Sequence, residues 1–491
     1  MTLAVIVVYL ALVLLVGMVS HRLFRGTGED YFLATRSIGP FILLMSLFGT
    51  HMTAFSLLGA SGEAYRNGIG VFALMASSSA LVVPAVFYFV GIRLWSLGKQ
   101  RGYITQVQFF RDRWASDGLG VLLFVVLVML LIPYLLIGIK GGGLTLSRIT
   151  DGQVPEWIGS LAVCVVVMTY VTYGGLRGTA WANTFQTLVF MTLGAVSFFW
   201  IVRELGGLEA ALGRVASERP DLLVRGERIA PLKLLTYTCI PLSVGMFPHI
   251  FMHWLTAKRA ESFRVPIVAY PLCVAVVWIP SVLLGVLGSV DVAGLKGPEA
   301  SSVLVRMIDS HAPELLAGLL AAGVFAAIMS SLDSQVLSLG TMFTQDIVRH
   351  FGFHDRMNER EQILVGRLFV ATILFLTYVI SLVSPSSIFK LGIWSFTGFA
   401  ALFPVVLAAL FWRRSTKAGA VATVISVAVL WIYFLVRGWN VADYTVAGSG
   451  IMPVAVMIVV SATVMVLVSL ATRPPAPCVV DRFFRSSKGS R

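Results

Sequence analysis

Thirteen apolar windows, each long enough to cross a bilayer, divide this chain: 2–20, 38–64, 70–94, 118–140, 155–173, 179–202, 234–256, 266–290, 314–345, 364–384, 388–412, 418–437 and 450–471. A hydrocarbon core takes about 20 apolar residues per helix. Inside it every backbone N–H and C=O has to be satisfied within the protein, which leaves helices as the solution for windows of this length. The windows therefore predict an all-α membrane protein with 13 transmembrane helices. Composition agrees, because 57% of the residues are hydrophobic and 12% are charged, about half the charged fraction of a soluble domain. No basic segment precedes the first window and no small-residue cleavage site follows it, so it reads as a retained helix and not as a signal peptide.

The net charge is +13. Lys and Arg concentrate in alternate loops: Arg93, Lys99, Arg101, Arg111 and Arg113; Lys258, Arg259 and Arg264; Arg413, Arg414 and Lys417; and the tail from Arg473. Such a bias marks cytoplasmic loops. The surplus is thus a topology signal and not a nucleic-acid patch, and it predicts a multi-pass plasma (inner) membrane protein with its N-terminus outside and its C-terminus cytoplasmic. The opposite set of loops includes 203–233, where acidic residues accompany the basic ones and helical spacing predicts a short interfacial helix. The proline-rich and then basic tail, 473–491, predicts a disordered segment touching anionic lipid. Cys164, Cys239, Cys273 and Cys478 lack metal-ligand spacing and support no disulfide or redox claim.

Two windows carry the wrong residues in their middles. The second places Gly49, Thr50, His51 and Thr53 where lipid-compatible residues belong, and the seventh contains Pro241, Gly245, Pro248 and His249. Irregular backbone at membrane depth survives where protein or a water-filled cavity satisfies it. A pair of interruptions at corresponding places points to inverted repeats with a solute between them. Pro and Gly also kink membrane helices harmlessly, so the pair alone does not decide. The ninth window adds Ser330, Ser331, Asp333, Ser334 and Gln335 in an apolar surround. A membrane carboxylate is costly unless paired or solvated. Adjacent hydroxyls with carbonyls freed from a broken helix are the hard oxygen donors that a small cation takes in place of water. Ser, His and Asp spread over separate windows form no nucleophile–base pair, so no enzyme is expected.

The stretches "DYFLATRSIGPFILLMS" (30–46), "TYVTYGGLRGTAWANTFQ" (169–186), "AAIMSSLDSQ" (326–335) and "WRRSTKAGA" (412–420) together resemble the solute:sodium symporter family, which includes sodium/proline, sodium/glucose, sodium/sialic acid and sodium/pantothenate carriers. The resemblance covers nearly the whole chain, with Gly178 where the family pattern has Ser, Ala or Pro. It implies a leucine-transporter-type fold of two inverted five-helix repeats working by alternating access. Here these are repeat one at about 38–203 and repeat two at about 234–412, with peripheral helices 2–20, 418–437 and 450–471, in one transporter domain over residues 1–472 followed by the tail. It also implies a Na+ site made of the carbonyls of Gly49, Met52 and Ala327 and the hydroxyls of Ser330 and Ser331, with Gly49 and Thr50 opening the helix toward the ion.

Two departures follow from the comparison with sodium/proline carriers, which have Asp at the positions of His51 and Asn183. The sixth window is neutral here while Asp333 introduces a charge close by, so a second cation or a proton is expected at Asp333, Ser334 and Asn183. The alternative is Asp333 paired with Asn183 or Thr187. Candidate solute contacts are His51, Thr53, Met246, Phe247 and His249, around the two breaks. A neutral imidazole at position 51 offers one donor and one acceptor, and a packed, satisfied histidine there is the competing reading. The N-terminal end of the half-helix after Pro248 favours negative charge, and with "GASGEAYRNGIG" (59–70) leans toward a pantothenate-like, monocarboxylate or amino-acid solute. Lys140 reads as snorkelling. The expected partners are Na+, a small organic solute and membrane lipid, with no cofactor beyond the coupling ion and no obligate protein partner. A channel or transport-derived sensor on the same fold, or a proton-coupled carrier, is the alternative.

Overall fold

The computed structural model describes residues 37–484 apart from Glu227, 353–356, Asn358 and Ala442, together with eight positions between Ala4 and Leu15; the side chains of 170–178, 359, 360 and 363 lie outside it. The predicted window 2–20 falls largely outside the described residues.

In chain order the helices are α1 Pro40–His51, α2 Phe55–Asn67, α3 Phe72–Arg101, α4 Gln106–Arg113, α5 Asp117–Ile149, α6 Glu156–Thr169 and α7 Thr179–Glu204. There follow α8 Leu208–Glu218, α9 Pro231–Gly245, α10 Pro248–Leu255, α11 Ala260–Asp291, α12 Val303–His311 and α13 Glu314–Arg349. The chain closes with α14 Leu364–Val383, α15 Ile388–Phe411, α16 Lys417–Gly438, α17 Pro453–Ala471 and α18 Pro477–Phe484. Nine of these are long and apolar enough to span a membrane, and counting the bent pairs α1–α2 and α9–α10 as one span each brings the described residues to 11. The predicted window 155–173 corresponds to α6, whose fully described part is the apolar helix Glu156–Thr169.

Glycines set the closest approaches. A Cβ on Gly142 of α5 would meet Val163 of α6 at 2.4 Å and the Phe325 ring of α13 at 3.7 Å, and one on Gly323 would meet Leu193 of α7 at 3.0 Å. Gly142 thus brings Val163 within side-chain reach of Phe325, two residues from the Gly323 on which Leu193 packs, although 30 residues of straight helix would carry Val163 and Leu193 about 45 Å apart. The helical run Glu156–Glu204 is therefore not straight between α6 and α7.

The structure corrects three expectations. Lys140 does not snorkel, because its ammonium donates to the carbonyls of Ser384 (2.5 Å) and Ser386 (3.1 Å) in the link before α15. The tail is not all disordered: Pro477–Phe484 is a helix whose Phe483 is buried. Gly49 and Thr50 do not open the second window, since α1 stays helical through His51 and the chain turns extended at Met52 (φ −80°, ψ 121°). Thr53 supplies the physical reason. Its hydroxyl accepts from Phe55 N (2.9 Å) and its carbonyl from Ser56 Oγ (2.8 Å), a local side-chain-to-backbone bond that competes with the helix and starts a new one. Gly49 serves instead for contact, because a Cβ there would lie 2.0 Å from Thr187 Oγ1.

Candidate functional site

The two breaks face each other across the core. The first bends α1 against α2 by 60°, the second α9 against α10 by 51°. The second is encoded by Pro248: it lacks an N–H, opens α10 at its first position, and holds Phe247 extended (φ −68°, ψ 121°). Gln106 Nε2 of α4 donates to the freed Met246 carbonyl at 3.0 Å, which supports the break from the loop side.

Helix α13 runs beside both breaks and is buried over most of its length. Ser330 Oγ lies 2.9 Å from the Gly49 carbonyl and 3.1 Å from the Ala327 carbonyl. Three oxygens thus converge from α1 and α13 at the last turn of a helix whose terminal carbonyls lack intrahelical partners. Ser331 turns elsewhere, accepting from Gln335 Nε2 at 2.5 Å. Met52 is buried at the break, and among the described residues no side-chain hydrogen bond joins it or Ser331 to that trio.

One turn further along, Asn183 Nδ2 donates to Ser334 Oγ (2.8 Å), and His253 Nε2 also meets Ser334 Oγ (3.1 Å) while its Nδ1 meets Ser46 Oγ (2.8 Å). This chain of hydrogen bonds ties α1, α7, α10 and α13 together. Asp333 stands apart from it. Both its oxygens are buried without a hydrogen-bond partner, as are both polar atoms of Gln186, the Tyr9 hydroxyl and Asn183 Oδ1, with Gln186 and Tyr9 as electrostatic neighbours of the carboxyl. The expected alternative pairing fails, because Asn183 is engaged by Ser334 and Thr187 Oγ1 donates to the Met45 carbonyl at 3.0 Å.

The solute candidates form an aromatic cluster. The Phe247 ring lies 5.1 Å from Tyr134, 5.1 Å from His249, 5.6 Å from Phe396, 5.0 Å from Phe399 and 6.0 Å from His51 between ring centroids. His51 Nδ1 is hydrogen-bonded to the Tyr270 hydroxyl, so that nitrogen is satisfied within the core. His249, 1% exposed, has no partner for either ring nitrogen, and the Tyr134 hydroxyl, Gln335 Oε1 and Thr397 Oγ1 are likewise buried and unpartnered. Thr53 spends its acceptor on Phe55 N. Each unpartnered buried group costs about 1–3 kcal/mol, and so many in one region marks a place where water, an ion or a solute completes the bonding.

Sequence reasoning passed over Tyr134, Tyr270, His253 and Gln186. His253 stands four residues after His249, and Asn183, Gln186 and Thr187 recur at helical spacing, so both polar stripes were readable. The two tyrosines carry no such signal.

A model of the sodium:solute symporter family matches residues 31–426. The chain belongs to that family. This symporter is 24% identical over 469 residues to an uncharacterized symporter of Bacillus subtilis, covering 92% of this chain and 94% of that one. It is 23% identical to an osmoregulated proline transporter of Bacillus subtilis (96% and 94% covered) and 25% identical to a sodium/pantothenate symporter of Escherichia coli (87% and 89% covered). Among solved structures, a substrate-bound, outward-open Na+-coupled sialic acid symporter matches with TM-score 0.79 at 17% identity, covering 97% of this chain and 98% of that one. A nucleobase-cation-symport-1 family transporter in a closed conformation matches at 0.60 and 13% identity, covering 93% and 98%. The symporter therefore has the leucine-transporter-type fold, is a sodium-coupled multi-pass membrane carrier, and is not an enzyme.

Proposed function

We propose that this symporter imports a small organic carboxylate on Na+ descending its gradient, by alternating access of two inverted five-helix repeats within 13 spans. Repeat one runs from about 38 to 203 and repeat two from about 234 to 412, with the N-terminus outside the plasma (inner) membrane and the C-terminus cytoplasmic. The observation that carries the reading is the Ser330 hydroxyl held between the carbonyls of Gly49 and Ala327. Those uncharged hard oxygens suit Na+, which replaces the serine proton's bonds with ion contacts, while Met52 and Ser331 complete the set after small rotations. The ion then cross-links α1 of one repeat to α13 of the other, which is how its binding biases the conformational equilibrium.

The solute lies against Phe247, Tyr134 and His249 at the N-terminal end of α10. The half-helix dipole and the free nitrogens of His249 favour a carboxylate there, and His51, Thr53 and Met246 border the same space. Pantothenate-like, monocarboxylate and amino-acid solutes share that group. Asp333, with Asn183 and Ser334 one turn below the Na+ site, holds a second cation or a proton, a role supported by its two unpartnered oxygens.

The test is uptake into proteoliposomes under an imposed Na+ gradient, with solutes chosen by a thermal-shift screen of carboxylates, amino acids and sugars with and without Na+. Na+-dependent stabilisation by a carboxylate, followed by electrogenic uptake, is the expected result. Ion flux that needs no solute would favour a channel.

A further inference from the structure

We propose that the foot of α16 and the docked C-terminal helix α18 form a binding groove for an anionic phospholipid of the cytoplasmic leaflet. Only the leaflet rests on the membrane orientation proposed above; the groove and its charge do not.

The far wall of the groove exists because α18 is anchored. Phe483 packs edge-on to Phe109 (ring centroids 6.1 Å apart), with the guanidinium groups of Arg101 and Arg113 over its ring at 4.8 and 5.8 Å. Arg482 Nη1 pairs with Asp112 Oδ1 at 3.2 Å. Arg113 is itself fully buried, donating to the carbonyls of Ala409 (2.9 Å) and Trp412 (3.1 Å) and to Ser415 Oγ (2.9 Å). The start of the tail is held on α16 by the Thr416–Thr472 hydroxyl pair at 2.8 Å.

Between that wall and α16 lies a groove of about 640 Å³ lined by Trp114, Val421, Ala422, Ile425, Ala476 and Val479. It opens onto a lipid-facing stripe of α16 where Ile425, Val429 and Val436 are 46%, 59% and 73% exposed, a path along which acyl chains continue. At its rim stand Lys417 and Arg473. The other cations of this corner are committed: Arg414 donates to the carbonyls of Ser469 (2.7 Å) and Thr472 (2.9 Å), and Arg413 lies over Phe484. Lys417 and Arg473 make no ion pair or side-chain hydrogen bond among the described residues. Lys417 also occupies the first turn of α16, the end of a helix where a cation is disfavoured and an anion favoured. A phosphodiester there neutralises both side chains and the helix end, while its acyl chains cover the apolar wall. A free phosphate satisfies the rim and leaves the wall bare.

Native mass spectrometry of the full purified chain, equilibrated with equal amounts of phosphatidylglycerol and phosphatidylcholine, tests this. The expected result is retention of phosphatidylglycerol in strong preference. That preference falls about fivefold with Lys417→Gln or Arg473→Gln and about thirtyfold with both. Ala422→Trp, which fills the groove and keeps both charges, abolishes retention of either lipid. Equal retention of the two lipids by the wild type, or unchanged phosphatidylglycerol retention in the double variant, overturns the proposal. So does displacement of the lipid by inorganic phosphate together with no effect of Ala422→Trp, which would mean an anion site without an acyl groove. Orientation is read separately, by labelling exposed Cys478 with an impermeant maleimide in right-side-out and inverted vesicles. Labelling in right-side-out vesicles sinks the assigned leaflet and leaves the groove standing.

Discussion

Ser330 Oγ sits 2.9 Å from the carbonyl oxygen of Gly49, across 281 residues of sequence. The pair joins the end of α1 to the middle of α13, so whatever occupies that junction reports directly on the packing of the two helices. Substituting Ser330→Ala removes one oxygen from a site where hydrogen bonds to charged groups contribute about 1.5–3 kcal/mol. The Na+ concentration for half-maximal uptake is expected to rise about tenfold to a hundredfold, measured by Na+ titration of solute uptake in proteoliposomes. An unchanged midpoint would place the ion elsewhere.

The close approach of Gly49 to Thr187 gives a second expectation. A methyl group at position 49 would lie 2.0 Å from Thr187 Oγ1 and 3.2 Å from the Asn183 carbonyl, so Gly49→Ala is overpacked by about 1–3 kcal/mol. Its melting temperature in detergent should fall, and adding Thr187→Ala should restore part of the loss by removing the nearer obstacle. Equal melting temperatures for Gly49→Ala and the double variant would show that the contact is not what the glycine is for.

Asp333 is the third case. Its oxygens lack partners, so Asp333→Asn keeps shape and removes the anionic form. If a second cation or a proton sits there, the Hill coefficient for Na+ falls toward one or the pH profile of uptake flattens. Both curves superimposing on those of the wild type would dispose of a second ion.

His249 tests the solute site. His249→Phe preserves the stacking on Phe247, whose ring is 5.1 Å away at an angle of 19°, and removes two nitrogens that have no partner in the protein. KM for the solute should increase about tenfold, as expected for one lost charge-assisted hydrogen bond, with the Na+ midpoint little changed. A change confined to the Na+ midpoint would reassign His249 to the ion.

Much of this was legible in linear order. Periodic apolar windows follow from the cost of unsatisfied backbone in hydrocarbon, which acts on each segment separately. The interruption after Pro248 was equally local, because a missing N–H breaks a helix wherever it stands. The break near Gly49 was placed one turn early. Glycine composition flagged it, whereas the cause is the Thr53 hydroxyl capturing Phe55 N, a competition decided by geometry. The tail was misjudged for a related reason: its prolines and arginines look unstructured until Phe109, Asp112 and Arg113 are brought beneath it.

Residue types and their order alone determined a helical membrane bundle, the two interrupted segments, and the serine-rich face of the ninth window. Tertiary structure alone decided which serine meets the broken helix, why Asp333 is left without Asn183 or Thr187, and that Tyr134 and Tyr270 join the histidines. The physical reason is range: propensity and hydrophobic patterning act between neighbours a few residues apart. A hydrogen bond such as that between Ser330 and Gly49 depends on how α1 and α13 pack, which no window of sequence contains.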